Sequence, residues 1–409
     1  MKILHINTHE LFGGAARAAY RLHKGLNKHG INSQILVQYK QSDENSTLVL
    51  KQTFLNRLIE KIFRSSYIRY FSYRYKPQSI FSINRVMPSE LIKNIKNINP
   101  DIIHLHWITD QFINLHDLIK LNKPIIWTLH DEWAITGGCH INQECFKFHK
   151  QCEACPVINS TKHRDLSYQQ FNLKKDIYTQ IPDMIFNGVS KWTAQQIKQS
   201  KTIANHQVVN LPNSIDTDLY KPVNKNIARD ILNFKVDKKI ILFGALSSTS
   251  DNNKGFHLLI KALQLLPKHK YQLVIFGSSN IDKTLSDLNI MAIGTLHDDY
   301  SLKLLYSAAN VMVVPSRQEN LSNTIMESLS CETPVVAFDI GGNSDMIDHK
   351  SNGYLAKAFD SADLALGIEW VIDNPEYEQL TYNARKKIVD NFSEQVVIPK
   401  YIELYKNLL

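Results

Sequence analysis

The chain has 409 residues, which is enough for two or three domains with large hydrophobic cores. An apolar content of 44% and a charged content of 21% are typical of a soluble globular protein, and no apolar run reaches the length that would cross a bilayer, which excludes a membrane-spanning chain. The excess of 47 Lys and Arg over 39 Asp and Glu gives a charge of +8 and predicts attraction to anions, whether phosphorylated substrates, anionic membranes or nucleic acid.

The first predicted element is a strand followed by a helix, with glycines at the turn. Residues 2–7 form a short apolar strand, and Gly13 and Gly14 precede a run from Ala15 to Asn27 with helical apolar spacing. Glycines let the backbone approach a ligand, and a helix start offers backbone amides to a phosphate. An ordinary tight turn accounts for the glycine pair equally well. No signal-like region precedes the strand, so we expect a cytoplasmic protein.

Residues 51–76 form a strongly basic segment, with seven Lys or Arg residues against one acidic residue, Glu60. The apolar residues that follow helical spacing are Phe54, Leu55, Leu58, Ile59, Ile62 and Phe63. This pattern predicts a basic amphipathic helix, which would bind an anionic membrane surface. The alternative is a helix packed on its own domain with a solvated basic face. No base-stacking motif accompanies the segment, and we expect no nucleic-acid partner.

The next predicted strands, residues 101–107 and 124–131, are separated by a predicted helix near Leu115 to Leu121, as in a doubly wound α/β domain. His130 falls at the carboxyl end of its strand, where such domains bind ligands. The alternative is that His130 is structural. We expect His104 and His106 to be core residues or to lie one layer behind the site.

Four of the five cysteines, Cys139, Cys145, Cys152 and Cys155, lie close together in the sequence. Four thiols ending in a C-x-x-C pair are typical of a tetrahedral structural zinc site. Free thiols are the alternative, and a redox pair is less favoured because no thioredoxin-like sequence surrounds it. The clustering indicates a reducing compartment rather than a disulfide framework.

The second domain is predicted to follow a linker between residues 210 and 222 and to open with a buried strand at 239–246. Lys254 comes at the start of the next helix, where the helix dipole disfavours a cation, so a bound anion explains it better than a solvated lysine. Predicted strands at 271–277 and 290–296 have glycines near their ends.

Residues 311–336 read as strand, loop, helix and strand, and they hold Glu319 and Glu327 eight residues apart. If both lay on one helix, their backbones would be about 12 Å apart along its axis. Carboxylates that cleave a glycosidic bond lie about 5 to 9.5 Å apart, so the spacing suits two contacts with one elongated ligand. The alternative is that Glu319 is an ordinary loop carboxylate and Glu327 a solvated helix residue.

Glu319, Glu327 and the glycine pair Gly341-Gly342 resemble the E-x7-E signature of the retaining glycosyltransferases of family 4, and residues 127–140 resemble a subgroup that builds bacterial exopolysaccharides such as colanic acid. The resemblance covers nearly the whole chain. It implies the α/β GT-B fold, in which two Rossmann-like doubly wound domains face a cleft and the C-terminal helix crosses back to the first domain. The implied domains are 1–212, with the cysteine-rich insertion 139–155 and completed by 391–409, and a nucleotide-sugar domain at 213–390.

The activity that the resemblance implies is transfer of a sugar from a UDP- or GDP-sugar to a lipid-linked or oligosaccharide acceptor. Because Lys254 and helix N-terminal amides would stabilise the leaving diphosphate, we expect no catalytic metal. The basic segment 51–76 would bind the inner face of the cell membrane. The resemblance implies that Glu319 contacts the donor sugar, Glu327 the ribose, Lys254 the diphosphate and His130 the transferred sugar. Further implied donor contacts are Gly13, Gly14, Gly277, Thr295, Leu296, Asn320, Leu321 and Ser322.

Two stretches of the sequence depart from the family pattern. Ala245 replaces an Arg that binds the diphosphate, and Asn320-Leu321-Ser322 replaces Gly-Phe-Gly. Phosphate binding would then use Lys254, the amides of residues 247–249 or Arg317. Alternative functions are a nucleotide-sugar epimerase or phosphorylase on the same fold, or a non-catalytic binder of anionic surfaces.

Overall fold

The computed structural model of the protein describes residues 1–50, 75, 77–85, 90–203, 205–234, 238–244, 249–278, 288–296 and 298–409. Apart from Tyr75, the predicted basic helix at 51–76 lies outside the described residues, as do Ala245 and residues 246–248. Among the described residues, none of the helices combines the length and the apolar character that crossing a membrane requires.

The chain forms two compact units. Unit 1 contains Met1–Leu211 and Lys400–Leu409, and unit 2 contains Pro212–Pro399. We placed the corresponding boundaries at 212 and 391 from the sequence. The start of the last helix stays with unit 2 because Ser393 pairs with Ile215 and the backbone N–H of Glu394 donates to the carbonyl of Ile215 at 3.1 Å.

Each unit has one parallel sheet, so the predicted doubly wound α/β class is confirmed. The order in unit 1 is β3-β2-β1-β4-β5-β6-β7, and the order in unit 2 is β10-β9-β8-β11-β12-β13. The strands are β1 Lys2–His9, β2 Asn32–Tyr39, β3 Thr47–Val49, β4 Ile102–Leu105, β5 Ile125–Leu129, β6 Ile185–Gly188, β7 Val208–Asn210, β8 Lys239–Gly244, β9 Tyr271–Phe276, β10 Ile290–Ala292, β11 Val311–Val314, β12 Val335–Phe338 and β13 Gly353–Ala356. The order reverses between β1 and β4 and between β8 and β11, and ligands bind at the carboxyl ends of strands at such points.

Helices alternate with the strands along the chain. They are α1 Gly14–Lys28, α2 Leu91–Ile98, α3 Leu166–Tyr178, α4 Lys191–Gln199, α5 Lys225–Ile231, α6 Phe256–Gln264, α7 Asp299–Ala308, α8 Asn323–Ser330, α9 Asn343–Met346, α10 Ser361–Ile372, α11 Tyr377–Phe392 and α12 Glu394–Lys406. The segment that we predicted as a helix near Leu115 to Leu121 is a 3₁₀ helix, Leu115–Lys120, whose first turn is capped by the Asn114 side chain.

The unit 1 sheet has one apolar face and one face on which buried polar side chains alternate with isoleucines such as Ile3, Ile102 and Ile126. Alternate residues of its central strands join the main core, including Leu4, Ile6, Ile103, Leu105, Ile125, Trp127 and Phe186. Because successive side chains of a strand point to opposite faces, the residues between them share the other face. That face carries His5, His104, Thr128 and Asn187, and β1 and β4 align His5 with His104.

The unit 2 sheet is mostly apolar on both faces, although its second face includes the buried Gln272. One face joins a core that includes Ile241, Phe243, Leu273, Ile275, Val311, Val313, Val336 and Phe338. The alternate positions are equally buried, and they include Ile240, Leu242, Val274, Met312, Val335 and Ala337. Buried runs without polar alternation are typical of parallel strands covered on both sides.

Candidate functional site

Two loops at the strand reversal of unit 2 bring Lys254 and Glu319 together. Lys254 ends a 3₁₀ turn before α6, and Glu319 lies between β11 and α8. The Lys254 Nζ donates to Glu319 Oε1 at 2.7 Å. Burial alone would lower the pKa of Lys254, but the Glu319 carboxylate outweighs it and holds that pKa above its ordinary value. The two residues that we predicted as separate donor contacts therefore form an ion pair.

Backbone contacts fix the loop that carries Glu319. The Asn253 side chain donates to the carbonyl of Gln318 at 3.0 Å, and the backbone N–H of Arg317 donates to the carbonyl of Asn253 at 2.8 Å. On the other side, the backbone N–H of Gly342 donates to the carbonyl of Glu319 at 3.0 Å. These contacts tie the loop after β11 to the loops after β8 and β12.

Glycines allow these loops to approach so closely. Gly255 has a φ of +68°, and a Cβ there would lie 1.8 Å from the Pro315 carbonyl oxygen. Gly341 has a φ of +53°, and its Cβ would lie 2.0 Å from the carbonyl oxygen of Glu319. Positive φ values favour glycine, and the contacts exclude any side chain. A small cavity lined by Lys254, Glu319 and the ends of β8 and β11 lies between the loops.

Glu327 is a buried residue of α8. Its side chain is 3% exposed, and the Tyr306 hydroxyl donates to its Oε2 at 2.8 Å. Burial, and then the Glu327 carboxylate, raise the pKa of Tyr306 well above its ordinary value. The alternative that Glu327 is a solvated helix residue is therefore wrong. Because α8 begins at Asn323, the two glutamates do not share a helix, and the axial separation for one helix does not apply.

The three residues after Glu319 precede α8. Asn320, Leu321 and Ser322 are all buried, and Ser322 is the N-cap. The helix therefore begins later than the predicted apolar spacing from Leu321 suggests. Among the described residues, the side-chain nitrogen of Asn320 is buried without a hydrogen-bond partner. A buried donor of this kind requires an explanation, and it lies next to Glu319.

The residues predicted to contact the base follow two neighbouring strands. Gly277 follows β9, and its backbone N–H donates to the carbonyl of Gly294 at 2.8 Å. Thr295, which is exposed, and Leu296, which is half-buried, follow β10. The structure thus brings Gly277, Thr295 and Leu296 to the same edge of the unit 2 sheet as Glu319.

In unit 1, the predicted glycine pair begins α1. Gly13 is the N-cap with a φ of +89°, and Gly14 is the first helical residue. A Cβ on Gly13 would meet nothing within 4 Å, so the backbone conformation, and not crowding by the described residues, favours glycine. None of the described residues therefore fills the space where a side chain of residue 13 would lie.

His130 follows β5 and is half-buried. Its Nε2 lies 3.1 Å from His106 Nδ1, and His106 Nε2 lies 2.9 Å from His5 Nδ1. Burial lowers the pKa of His130 to about 4, although the nearby Asp131 carboxylate acts in the opposite direction. His130 is therefore a neutral imidazole near pH 7. His104 and His106 are buried, as we expected.

Asp131 organises the loop after β5, a role that the sequence reasoning missed. It accepts hydrogen bonds from His140 Nδ1 at 2.7 Å, Trp107 Nε1 at 2.7 Å and the backbone N–H of Trp133 at 2.9 Å. Burial would raise its pKa, but His140 and the other donors lower it. The available signal was its position in the sequence, because Asp131 directly follows the predicted site residue His130.

The sequence reasoning also missed His5, which the alternating side-chain directions along β1 could have identified. One ligand nitrogen from each of His5, His104 and His106 lies within 4.8 Å of the others, the spacing of a metal site. His104 is already bonded to Tyr405 and Thr128, both at 2.7 Å, and no carboxylate belongs to this group among the described residues. A divalent ion would have to break these bonds and would lie buried without a counter-charge, so the group does not fit a metal.

The four clustered cysteines line one cavity of about 20 Å³. Cys139, Cys152 and Cys155 are buried, and the backbone N–H of Gly137 donates to Cys152 Sγ at 3.2 Å. Within the described residues, no three of the sulfurs all lie within 4.8 Å of one another. A zinc ion at 2.3 Å from each sulfur would therefore draw them inward.

A buried lysine lies beside these cysteines. Lys174 Nζ donates to the carbonyl oxygens of Trp133 and, at 3.0 Å, Thr136, and Lys174 forms no ion pair with a carboxylate in the described part of the chain. Burial lowers the pKa of Lys174 to about 7, although the neighbouring cysteines and the Asp131 carboxylate act in the opposite direction. Thiolates around a metal would stabilise the protonated form of this lysine, and four cysteine sulfurs are a donor set that fits zinc in chemistry and in number.

Comparison with known proteins follows the division into units. Residues 12–219, just over half of the chain, match the family described as Glycosyltransferase Family 4, and residues 224–387 match Glycosyl transferases group 1. An uncharacterized glycosyltransferase of Methanocaldococcus jannaschii is 26% identical over 75% of each chain. The putative colanic acid biosynthesis glycosyl transferase WcaC of Escherichia coli is 22% identical over the whole of both chains.

Solved structures show the same architecture. Sucrose-phosphate synthase from Thermosynechococcus elongatus aligns with a TM-score of 0.71 at 19% identity, covering 100% of this chain and 99% of that one. Anabaena HepE, solved in complex with UDP-glucose, aligns with a TM-score of 0.66 at 15% identity over all of both chains. Together with the two parallel sheets, these matches confirm the predicted fold. The chain is therefore a glycosyltransferase that belongs to family 4 and has the GT-B fold.

Proposed function

We propose that the protein transfers a sugar from a UDP- or GDP-sugar to a growing, lipid-linked surface glycan, with retention of the anomeric configuration. The Lys254–Glu319 ion pair at the strand reversal of unit 2 carries this proposal. A cation next to a carboxylate offers one group for a diphosphate and one for sugar hydroxyls. The name of WcaC supports a glycan product, and the UDP-glucose complex of HepE supports a nucleotide-sugar donor.

Lys254 is proposed to bind the donor diphosphate. An ammonium group has three N–H donors, and Glu319 takes one of them, so others remain for phosphate oxygens. As the sugar leaves, negative charge builds up on the diphosphate while the sugar becomes oxocarbenium-like. A fixed cation and the amides at the start of α8 would stabilise that charge.

The two glutamates are proposed to hold the two ends of the donor. Glu319, whose loop is held by backbone contacts, would accept hydrogen bonds from the transferred sugar. Glu327 would accept from the ribose, with the Tyr306 hydroxyl holding its carboxylate. Asn320 could donate its unpaired side-chain N–H to the same ligand after a small side-chain movement. In unit 1, His130 is proposed to contact the transferred sugar.

Replacing Lys254 by alanine should reduce kcat at saturating donor by about 10²- to 10³-fold, since one electrostatic contact to the leaving group is lost. Lys261→Ala is the matched control, because Lys261 is an exposed lysine on α6 and its loss changes the net charge equally. Steady-state kinetics with a glycan acceptor measure both. Unchanged turnover by Lys254→Ala would remove this lysine from the reaction.

A panel of UDP- and GDP-sugars in a thermal-shift assay should identify the donor, because a ligand that binds only the folded state raises the Tm. Product analysis with and without acceptor then separates transfer from epimerisation, which needs no acceptor. If no nucleotide sugar raises the Tm or gives an acceptor-dependent product, the proposed function is wrong.

We also propose that Cys139, Cys145, Cys152 and Cys155 hold a structural zinc ion. Metal analysis of the purified protein should return about one zinc per chain. Cys152→Ser should lower the zinc content and the Tm, whereas Cys331→Ser, which changes a buried cysteine of unit 2, should keep the zinc. If the wild-type protein contains no zinc and Cys152→Ser does not change the Tm, the free-thiol alternative holds.

A further inference from the structure

We propose that His5 and His106 are positioning residues that hold His130 in the tautomer with its proton on Nδ1, so that His130 presents a neutral N–H donor to an oxygen of the bound donor sugar. The ligand contact rests on the proposed function, but the tautomer does not. We call the three residues the histidine relay.

The relay is a continuous chain of hydrogen bonds. His5 Nδ1 lies 2.9 Å from His106 Nε2, and His106 Nδ1 lies 3.1 Å from His130 Nε2. Both distances are in the range of N–H···N hydrogen bonds. The ring planes of each successive pair are inclined by 24°, with centroids 5.2 Å and 5.4 Å apart. The three rings thus form a nearly parallel row from the interior of the sheet to its carboxyl edge.

Each relay imidazole carries one proton near neutral pH. Burial, and then the neighbouring histidines, lower the pKa of His5 and His106 well below the ordinary value, and burial lowers the pKa of His130 to about 4. A neutral imidazole has one donor nitrogen and one acceptor nitrogen. The direction of either hydrogen bond therefore determines the direction of the other.

Only two directions are consistent with this chemistry. In the first, the Nδ1–H of His5 donates to His106, whose Nδ1–H donates to His130, which then carries its own proton on Nδ1. In the second, His130 donates through Nε2–H towards His5, and the last proton lies on His5 Nε2. The two directions differ at the ends of the relay, where the environment selects between them.

The inner end selects the first direction. His5 Nε2 is buried and has no hydrogen-bond partner in the described part of the chain. In the second direction this atom would be a buried N–H without an acceptor, whereas in the first it is a bare acceptor. Unpaired buried N–H groups are the rarer of the two in proteins. The relay therefore runs outwards, and the proton of His130 lies on Nδ1.

The outer end can use this proton. No hydrogen bond links Nδ1 of the half-buried His130 to any described residue. His104 lies behind the relay, with its ring centroid 4.4 Å from that of His106, and Tyr405 and Thr128 hold it at both nitrogens. This packing restricts the rotation of His106, which would otherwise break both relay bonds.

Nitrogen-15 NMR of protein labelled at histidine tests the tautomer directly, because protonated and bare imidazole nitrogens have well-separated shifts. At pH 7 the wild-type protein should show His130 with a protonated Nδ1 and a bare Nε2. This measurement needs no variant, so a folding defect cannot obscure it. The opposite pattern at His130 would overturn the proposal.

Two substitutions of His106 then separate positioning from packing. His106→Asn keeps an N–H donor near the place of Nδ1, whereas His106→Leu removes it. His106→Leu should give a mixture of His130 tautomers and lower kcat about five- to tenfold, the effect of losing one hydrogen bond, with a smaller change in KM for the donor. His106→Asn should restore the Nδ1 tautomer and most of kcat.

His23→Gln is the control for loss of a buried histidine outside the relay, since His23 bonds to Ser33 and Ser46 instead. It should leave the His130 tautomer unchanged. Equal kcat values and tautomers in His106→Leu and the wild type would refute the positioning role. The predicted tautomer in a protein that transfers no sugar would contradict the proposed function and leave the tautomer assignment standing.

Discussion

The two sheets of this protein have the same parallel plan but fill their second faces differently. In unit 1 that face carries His5, His104, Thr128 and Asn187 among isoleucines. Thr128 bonds to His104 and Asn187, and His5 bonds to His106. In unit 2 the corresponding positions are mostly apolar, as at Ile240, Leu242, Val274 and Met312, with the buried Gln272 among them. A parallel sheet therefore tolerates buried polar side chains on one face when most of their hydrogen-bonding atoms find partners.

The difference has a consequence for stability. Apolar packing in unit 2 does not depend on protonation, whereas the unit 1 face must keep its histidines neutral. Burial lowers the pKa of His104 to about 3 and, despite the opposing Glu44 and Glu10 carboxylates, that of His23 to about 4. Unit 1 thus combines a positioned His130 with sensitivity to acid.

The largest predicted effect is selective acid unfolding of unit 1. The folded pKa values of its buried histidines lie below the unfolded value of about 6.5, so the unfolded chain binds more protons below pH 6.5. Stability is therefore complete above pH 6.5 and falls as the pH drops towards 4. Between its unfolded and folded pKa values, each such histidine lowers the free energy of unfolding by about 1.4 kcal/mol for every pH unit of acidification.

Tryptophan fluorescence can follow this loss in unit 1. Four of the five tryptophans, Trp107, Trp127, Trp133 and Trp192, lie in unit 1, so a Trp370→Phe variant reports on unit 1 alone. Its urea midpoint should fall steeply between pH 7 and pH 4.5. A midpoint that is the same at both pH values would contradict the comparison.

The second prediction concerns a substitution that displaces the unit 2 loop carrying Glu319. Gly341→Ala places a Cβ 2.0 Å from the Glu319 carbonyl oxygen and should move this loop, with a loss of donor affinity of about tenfold or more. Gly30→Ala is matched for backbone strain, with a φ of +76°, but its Cβ would meet no atom of the described part of the chain within 4 Å. Gly30→Ala should lower the free energy of unfolding, which urea unfolding measures. It should leave donor affinity, which calorimetry measures, unchanged.

The prediction with the smallest expected effect compares the second faces of the two sheets directly. Thr128→Val removes the hydroxyl that bonds to His104 and Asn187 and should lower the free energy of unfolding by about 1–3 kcal/mol. Met312→Leu, a nearly volume-conserving change on the unit 2 face, should cost less than about 1.5 kcal/mol. Urea unfolding measures both, and a larger loss for Met312→Leu would reverse the comparison.

The wild-type sequence predicts the local elements well because their signals are local. The apolar spacing after Gly13 predicts α1 to within two residues, and the β-branched run before Pro315 predicts β11. Sequence spacing was less informative at Leu115–Lys120, a 3₁₀ helix that is too short to show a full helical period. It also placed the start of the helix after Glu319 too early, at Leu321, whereas α8 begins at Asn323.

The order of residues along the chain determined that this is a two-domain parallel α/β protein, with glutamates, a lysine and glycines at strand ends. Only the tertiary structure decided which of them touch. Lys254 meets Glu319 across 65 residues, and His5 meets His106 across 101 residues. Periodicity records which way one segment faces, but such contacts depend on the strand order of the sheet, which brings distant segments side by side.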